Sequence, residues 1–327
     1  MKIFIDNPGH LDLLQSMHYL FEKHLDWELF SPILDDSEWH SLLQLLPPVE
    51  FGTIEIHKDG VQIVDQGSFR NYKQTRISFQ KFKEIPFDFI MTICWENEPK
   101  LFNLRNQYHQ NAKFLRHIAN IHEQPVQAKN ILLSVLTPMS ANTCKYLPEH
   151  HTAFTYSEKY TLRSIKSFYS AFAGYPDEVR DFKVIQNALT DFSFYPTSYP
   201  EDKYPSFKGF ELPNAMKDAQ FIYHPKGLGC CGYVARQALS CGKPLLVKKK
   251  YANQHNTFAK EYLIDGFNCI DIDSTVRPMN ETLKLIRQWS EPAFYESKSK
   301  EIANWSKTYF DFNREALKIK EWMENLK

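Results

Sequence analysis

Residues 219–273 constrain what this chain can fold into more than any other stretch. A short apolar run, Phe221-Ile222-Tyr223, reads as a buried strand. A glycine-rich turn follows, Lys226-Gly227-Leu228-Gly229-Cys230-Cys231-Gly232, and residues 233–240 then space their apolar side chains as a helix does. Gly242 stands where a helix C-terminus favours a left-handed residue, and Pro244-Leu245-Leu246-Val247 is the next apolar strand. Strand, turn, helix and strand in that order make one unit of a parallel α/β sheet.

The turn carries the chemistry. Its glycines let the backbone take positive φ and approach a ligand closely. The free N–H groups at the helix start, near Gly232 and Tyr233, form an anion site that the helix dipole reinforces, and Lys226 adds a formal charge. Together they suit a phosphate or diphosphate. A tight turn with no ligand is the other reading of the same residues.

The segment resembles the donor-binding half of GT-B-fold glycosyltransferases, the glycogen-synthase-like group. Their pattern is a strand, Glu-Gly-Phe-Gly, a helix bearing a second Glu, and then Ala-x-Ala-Cys-Gly-x-Pro-Val. Gly229-Cys230-Cys231-Gly232 falls on the tetrad, Gln237 to Leu245 on the second block, and Asp265-Gly266-Phe267-Asn268-Cys269-Ile270 on a downstream Asp-Gly-x-Asn-Gly turn. In the family the first Glu contacts the donor sugar and the second the nucleotide ribose. Gly229 and Gln237 stand in those places here; Gln237 keeps hydrogen-bonding capacity, while Gly229 has no side chain to offer. The resemblance implies a donor site of Lys226, Gly229, Cys230, Gly232, Tyr233 and Gln237, with Phe210 an aromatic candidate beside the base. It implies an α/β fold of two Rossmann-like domains with a cleft between them and a C-terminal helix crossing back. The expected boundaries are 1–155 for an acceptor domain, 156–308 for the nucleotide-sugar domain and 309–327 for the returning helix.

The N-terminus begins as a Rossmann-like half does: strand 2–5, a turn through Gly9 and His10, then an amphipathic helix over 11–24. His10 and Asp12 are the catalytic candidates, His10 as a general base or hydrogen-bond donor. For Asp12 the competing role is to stabilise the first helical turn. Further expected strands are 27–30, 87–93, 113–118 and 130–135. A hairpin over 53–64 turns at Lys58-Asp59-Gly60. Trp95, Glu96 and Asn97 follow the 87–93 strand, where ligands bind in open α/β sheets, and are the acceptor-side candidates; a helix N-terminal turn is their alternative role. Asn120 and Thr137 hold similar positions. In the second half, helices are expected over 157–172 and 176–189, a strand over 192–195, a short helix over 212–218, and helices over 280–289, 291–310 and 314–326.

The chain has 327 residues and zero net charge, so no global field draws it to nucleic acid or acidic membranes. No apolar run reaches membrane-spanning length and the first residues lack a signal-peptide core. Six cysteines without a C-x-x-C pair favour reduced thiols in a cytoplasm. No zinc-finger spacing, H-E-x-x-H or P-loop is present, and no metal site is expected. The implied mechanism is metal-independent, with helix N-termini and Lys226 stabilising the leaving diphosphate. The only expected co-substrate is a nucleotide-sugar such as a UDP-sugar.

Gly9-His10-Leu11-Asp12-Leu13-Leu14, followed by Trp27-Glu28-Leu29-Phe30, resembles glycosyltransferase-like proteins of bacteriophages. That resemblance implies a DNA acceptor, a hydroxymethylated base flipped out of its duplex. Glycan and lipid acceptors stay open, as do a non-catalytic nucleotide-sugar-binding protein and a GT-B-fold epimerase or hydrolase.

Overall fold

The structure, a computed structural model, describes residues 1–7, 11–45, 52–119, 123–136, 139, 141–161, 166–170, 176–195, 210–225, 232–254 and 257–326. These form two compact units, Met1–Glu149 with Phe312–Lys327, and His150–Asp311.

The first unit is built on β1 (Lys2–Ile5), β2 (Glu28–Pro32), β3 (Thr53–Lys58), β4 (Val61–Asp65), β5 (Lys73–Ile77), β6 (Phe89–Thr92), β7 (Lys113–Ile118), β8 (Asn130–Leu133) and β9 (Asn142–Lys145). They form one sheet in the order β3-β4-β5-β2-β1-β6-β7-β8-β9. The run from β5 to β9 is parallel throughout, and β3 and β4 add an antiparallel hairpin at one edge. The central strands are apolar on both faces because helices cover both. Alternation along β1 divides them: Ile3 and Ile5 pack with Leu14, Met17 and Phe21 of the first helical segment, Phe4 with Trp39, Phe82 and Leu101 opposite. The helix Phe312–Glu324 joins the first of these cores through Ala316, Ile319 and Met323.

The second unit holds β10 (Ser167–Ser170), β11 (Ser193–Tyr195), β12 (Phe221–Tyr223), β13 (Leu245–Val247) and β14 (Cys269–Asp271), all parallel, in the order β11-β10-β12-β13-β14. Much of the chain's aromatic content lies here. Phe168 stacks between Phe194 and Phe221, with ring centroids 4.8 and 5.1 Å away.

Most expected elements form within a residue or two of their expected bounds. Three strands were not expected. β5 and β9 carry no strand pattern in the sequence, and β10 falls inside the stretch expected to be helical over 157–172. Its aromatic spacing suits a helix, but pairing on both edges, with β11 and β12, fixes it as an interior strand. The first helix also changes character. It is α-helical over Leu11–His18 and continues as a π-turn over Tyr19–Lys23.

Candidate functional site

In open parallel sheets the strand order reverses at one point, and a crevice opens there beyond the carboxyl ends of the two diverging strands. In the second unit that point lies between β10 and β12. The described residues at the strand ends are Ser170 and Tyr223-His224. Ser170 is buried, and its Oγ has no hydrogen-bond partner among the described residues.

The next helix, Tyr233–Ser240, therefore starts at this same edge of the sheet. Gly232 enters it at φ +71°, and a Cβ there would meet the Tyr262 hydroxyl at 2.4 Å. That hydroxyl already donates to the Gly232 carbonyl at 3.1 Å, so a buried, rigid ring blocks any side chain. The helix ends as expected at Gly242, φ +72°, in a Schellman arrangement: Gly242 N–H to the Leu239 carbonyl and Lys243 N–H to the Ala238 carbonyl, both 2.9 Å. The helix is thus pinned at both ends, and its N-terminus lies at the carboxyl ends of the strands.

Arg236, in the first turn, is fully buried, and none of its three guanidinium nitrogens has a hydrogen-bond partner among the described residues. Its guanidinium lies 4.7 Å from the centre of the Tyr233 ring, three residues earlier. Helical side chains lean toward the N-terminus, which sets the cation back over the first turn. Stacking on an aromatic face returns about 2 kcal/mol at most. Burying a guanidinium without a counter-charge costs several kcal/mol. His150, also buried, is held neutral: burial first, then Arg236 and His151, lower its pKa to about 3.

The first unit has the switch-point order too, and there the crevice falls between β1 and β6. Asp6, just past β1, is fully buried and accepts from Thr92 Oγ1 at 2.7 Å and from Ile93 N–H at 2.9 Å. Burial raises its pKa, and those hydrogen bonds oppose the rise. Cys94 donates to Glu96 Oε2 at 2.8 Å; burial and that carboxylate push the thiol up to about 12, so it is no nucleophile near neutral pH.

Trp95 is 58% exposed at the end of this unit's switch point, and Glu96 is half-buried beside it. Asn97 turns inward rather than toward an acceptor. It is fully buried, with its carbonyl accepting from Gln44 N–H at 2.7 Å and its amide donating to the Gln44 carbonyl at 3.0 Å. Asp12 is exposed and pairs with Arg70 at 3.1 Å on the first turn of its helix. In the second unit Tyr233 and Gln237 are half-buried on the helix. Phe210 is 47% exposed, edge-on to His151 at 6.2 Å. His10, Lys226, Gly229 and Cys230, with Asn120 and Thr137, lie outside the described residues.

Asp271 and Asp273 serve backbone groups: Asp271 Oδ1 accepts from the N–H of Lys249 and Asp273, and Asp273 Oδ1 from Thr275 N–H. Lys248 of the basic run is tied to Asp181 at 2.5 Å. Three polar groups at the two sheet edges escaped the sequence reading: Asp6, Ser170 and Arg236. A signal for Arg236 was present, since it interrupts the buried stripe of Ala235, Ala238 and Leu239. Among the described residues, no helix is long and apolar enough to cross a membrane.

Over its whole length the chain is similar in structure to proteins of known structure. HepE of Anabaena, in complex with UDP, matches at TM-score 0.61 and 11% identity, over 99% of this chain and 100% of that one. An alpha-glucosyltransferase in complex with UDP-glucose and DNA containing an abasic site matches at 0.62 and 9%, over 99% and 100%. The catalytic domain of starch synthase IV from Arabidopsis thaliana, bound to ADP and acarbose, matches at 0.61 and 9%, over 99% and 98%. No family model matches the chain, and no curated protein does. The fold is the α/β GT-B architecture of two Rossmann-like domains.

Proposed function

We propose that this protein is a glycosyltransferase that takes a sugar from a nucleotide-sugar held by the second unit and passes it to an acceptor. One observation carries the reading. A glycine at positive φ opens a helix at the switch point of a parallel sheet, in a chain whose full length matches solved structures that include a glucosyltransferase with UDP-glucose. A helix N-terminus and its dipole there offset the charge that develops on a leaving diphosphate. The same electrostatics supports a metal-independent reaction, which predicts that turnover survives a chelator. The donor side consists of Gly232, Tyr233 and Gln237, joined by Lys226, Gly229, Cys230 and Phe210. His10 is the proposed catalytic base, with Asp12 two residues further on, and Trp95 and Glu96 meet the acceptor.

For the acceptor we favour a hydroxymethylated base in DNA. The resemblance of the first thirty residues to phage proteins supports this, as does the fold match to a glucosyltransferase solved with DNA. The test is release of nucleoside mono- or diphosphate from a panel of nucleotide-sugars, with and without hydroxymethylated DNA. Release that depends on DNA supports the whole reading; release regardless of DNA sends the acceptor to glycans or lipids. His10→Ala should abolish turnover and keep donor affinity, and a fully active variant removes His10 from the mechanism.

A second reading has its own support. Gly229 and Gln237 replace both glutamates of the related pattern, which favours a nucleotide-sugar-binding protein without transfer. Donor binding with no release under any condition would establish it.

A further inference from the structure

We propose that Arg236 is a phosphate-binding residue, its guanidinium held ready for the diphosphate of the donor. The inference rests on the donor site proposed above and adds a residue outside the pattern that defined it, where an apolar side chain is the rule for a buried helix face.

Three observations converge. The guanidinium is fully buried, and its nitrogens have no hydrogen-bond partner among the described residues. It stacks on Tyr233, the first residue of the helix, so the cation sits beside the helix's own positive end. A cation belongs at the other end of a helix, so two sources of positive potential are forced together with no carboxylate among the described residues paired to either. Ser170 supplies the third observation, a buried hydroxyl without a partner among the described residues, at the same edge of the sheet and on the opposite strand of the switch point. His150, buried nearby, stays neutral and provides no counter-charge. An anion resolves all of these at once. The flat fork of a guanidinium donates two parallel hydrogen bonds to a phosphate, which a lysine cannot reproduce.

The test uses the full chain, with UDP, ADP and inorganic pyrophosphate as probes in calorimetry, beside thermal melts without ligand. Arg236→Met is expected to weaken the tightest-binding probe at least tenfold. It should also raise the melting temperature of the free protein, because it removes a buried charge that nothing pairs. Arg236→Lys should bind between the two. A purely structural arginine would do the reverse, with melting lowered and affinity kept. That result overturns the proposal, as does wild-type protein that binds none of the probes.

The outcome separates from that of the donor reading. Arg236-dependent pyrophosphate binding without nucleotide release from any sugar donor keeps the anion site and removes the transferase. Turnover whose donor KM ignores Arg236→Met keeps the transferase and removes the site.

Discussion

Arg116 and Arg236 are both withdrawn completely from solvent, one in each unit, and their surroundings could hardly differ more. Arg116, on β7, donates to the Thr92 carbonyl at 3.3 Å, lies 3.7 Å from Glu98 and pairs with Glu123. Glu98 also accepts from three consecutive N–H groups, those of Val126, Gln127 and Ala128. Arg236 has the Tyr233 ring and the neutral His150 near it, and no hydrogen-bond partner among the described residues. The same contrast runs through the two switch points: Asp6 is fully engaged, while Ser170 Oγ is not. Both units keep some buried polar atoms without a hydrogen bond, Arg116 Nε and Glu98 Oε2 among them, so the difference lies in the counter-charge: carboxylates meet Arg116, and none among the described residues meets Arg236. A buried charge without a counter-charge costs stability, so one that persists calls for a partner outside the chain.

The sharpest way to break this comparison is to give both arginines the same substitution. Arg116→Met should strand Glu98 inside the sheet and cost about 3–5 kcal/mol, read as a lower midpoint in urea. Arg236→Met should move the midpoint the other way. Equal destabilisation would show that both are structural. Gly232→Ala comes next, at about 2 kcal/mol, because it combines positive φ with a clash against Tyr262. Adding Tyr262→Phe should recover part of that loss, since the hydroxyl is the obstructing atom.

A further effect depends on pH. His150 is lowered from 6.5 to about 3 in the fold, chiefly by burial. Its contribution to stability is complete above its unfolded value and is lost as pH falls from about 6.5 toward about 3, where the unfolded chain takes up the proton first. Thermal melts across that window should slope less in His150→Gln. The smallest stability change belongs to Trp95→Ala, within about 0.5 kcal/mol at so exposed a position. Its expected effect is weaker acceptor binding, measured at fixed donor.

What the sequence revealed followed the hydrophobic pattern. β1, β7 and β12 were legible to the residue, as was the helix Tyr233–Ser240, because apolar runs and glycine punctuation mark them directly. β5 was not. Its Gln74 and Arg76 are buried polar residues, satisfied by Ser31 and by each other, so no apolar alternation announces a strand. β9 has a single buried residue at an edge, and β10 is defined by its partners. Side-chain roles were harder still. Asn97 stood in an expected acceptor position, and only the approach of Gln44, fifty-three residues away in sequence, shows that its amide is already used. Arg236 was passed over because helical spacing is read from apolar residues, and a lone charge among them looks like surface.

The helix Phe312–Glu324 has a consequence for the order in which the molecule can be made. Its Ala316, Ile319 and Met323 complete the core that includes Ile3 and Ile5, so the first strand leaves the ribosome some three hundred residues before its packing partner. At about 5–20 residues per second that interval is tens of seconds. Over that time the second unit, continuous in sequence, can finish folding while the first waits with an apolar face uncovered. The first unit is thus begun first and closed last, and a chain stopped shortly before residue 312 would keep one finished half and one that a chaperone must shield.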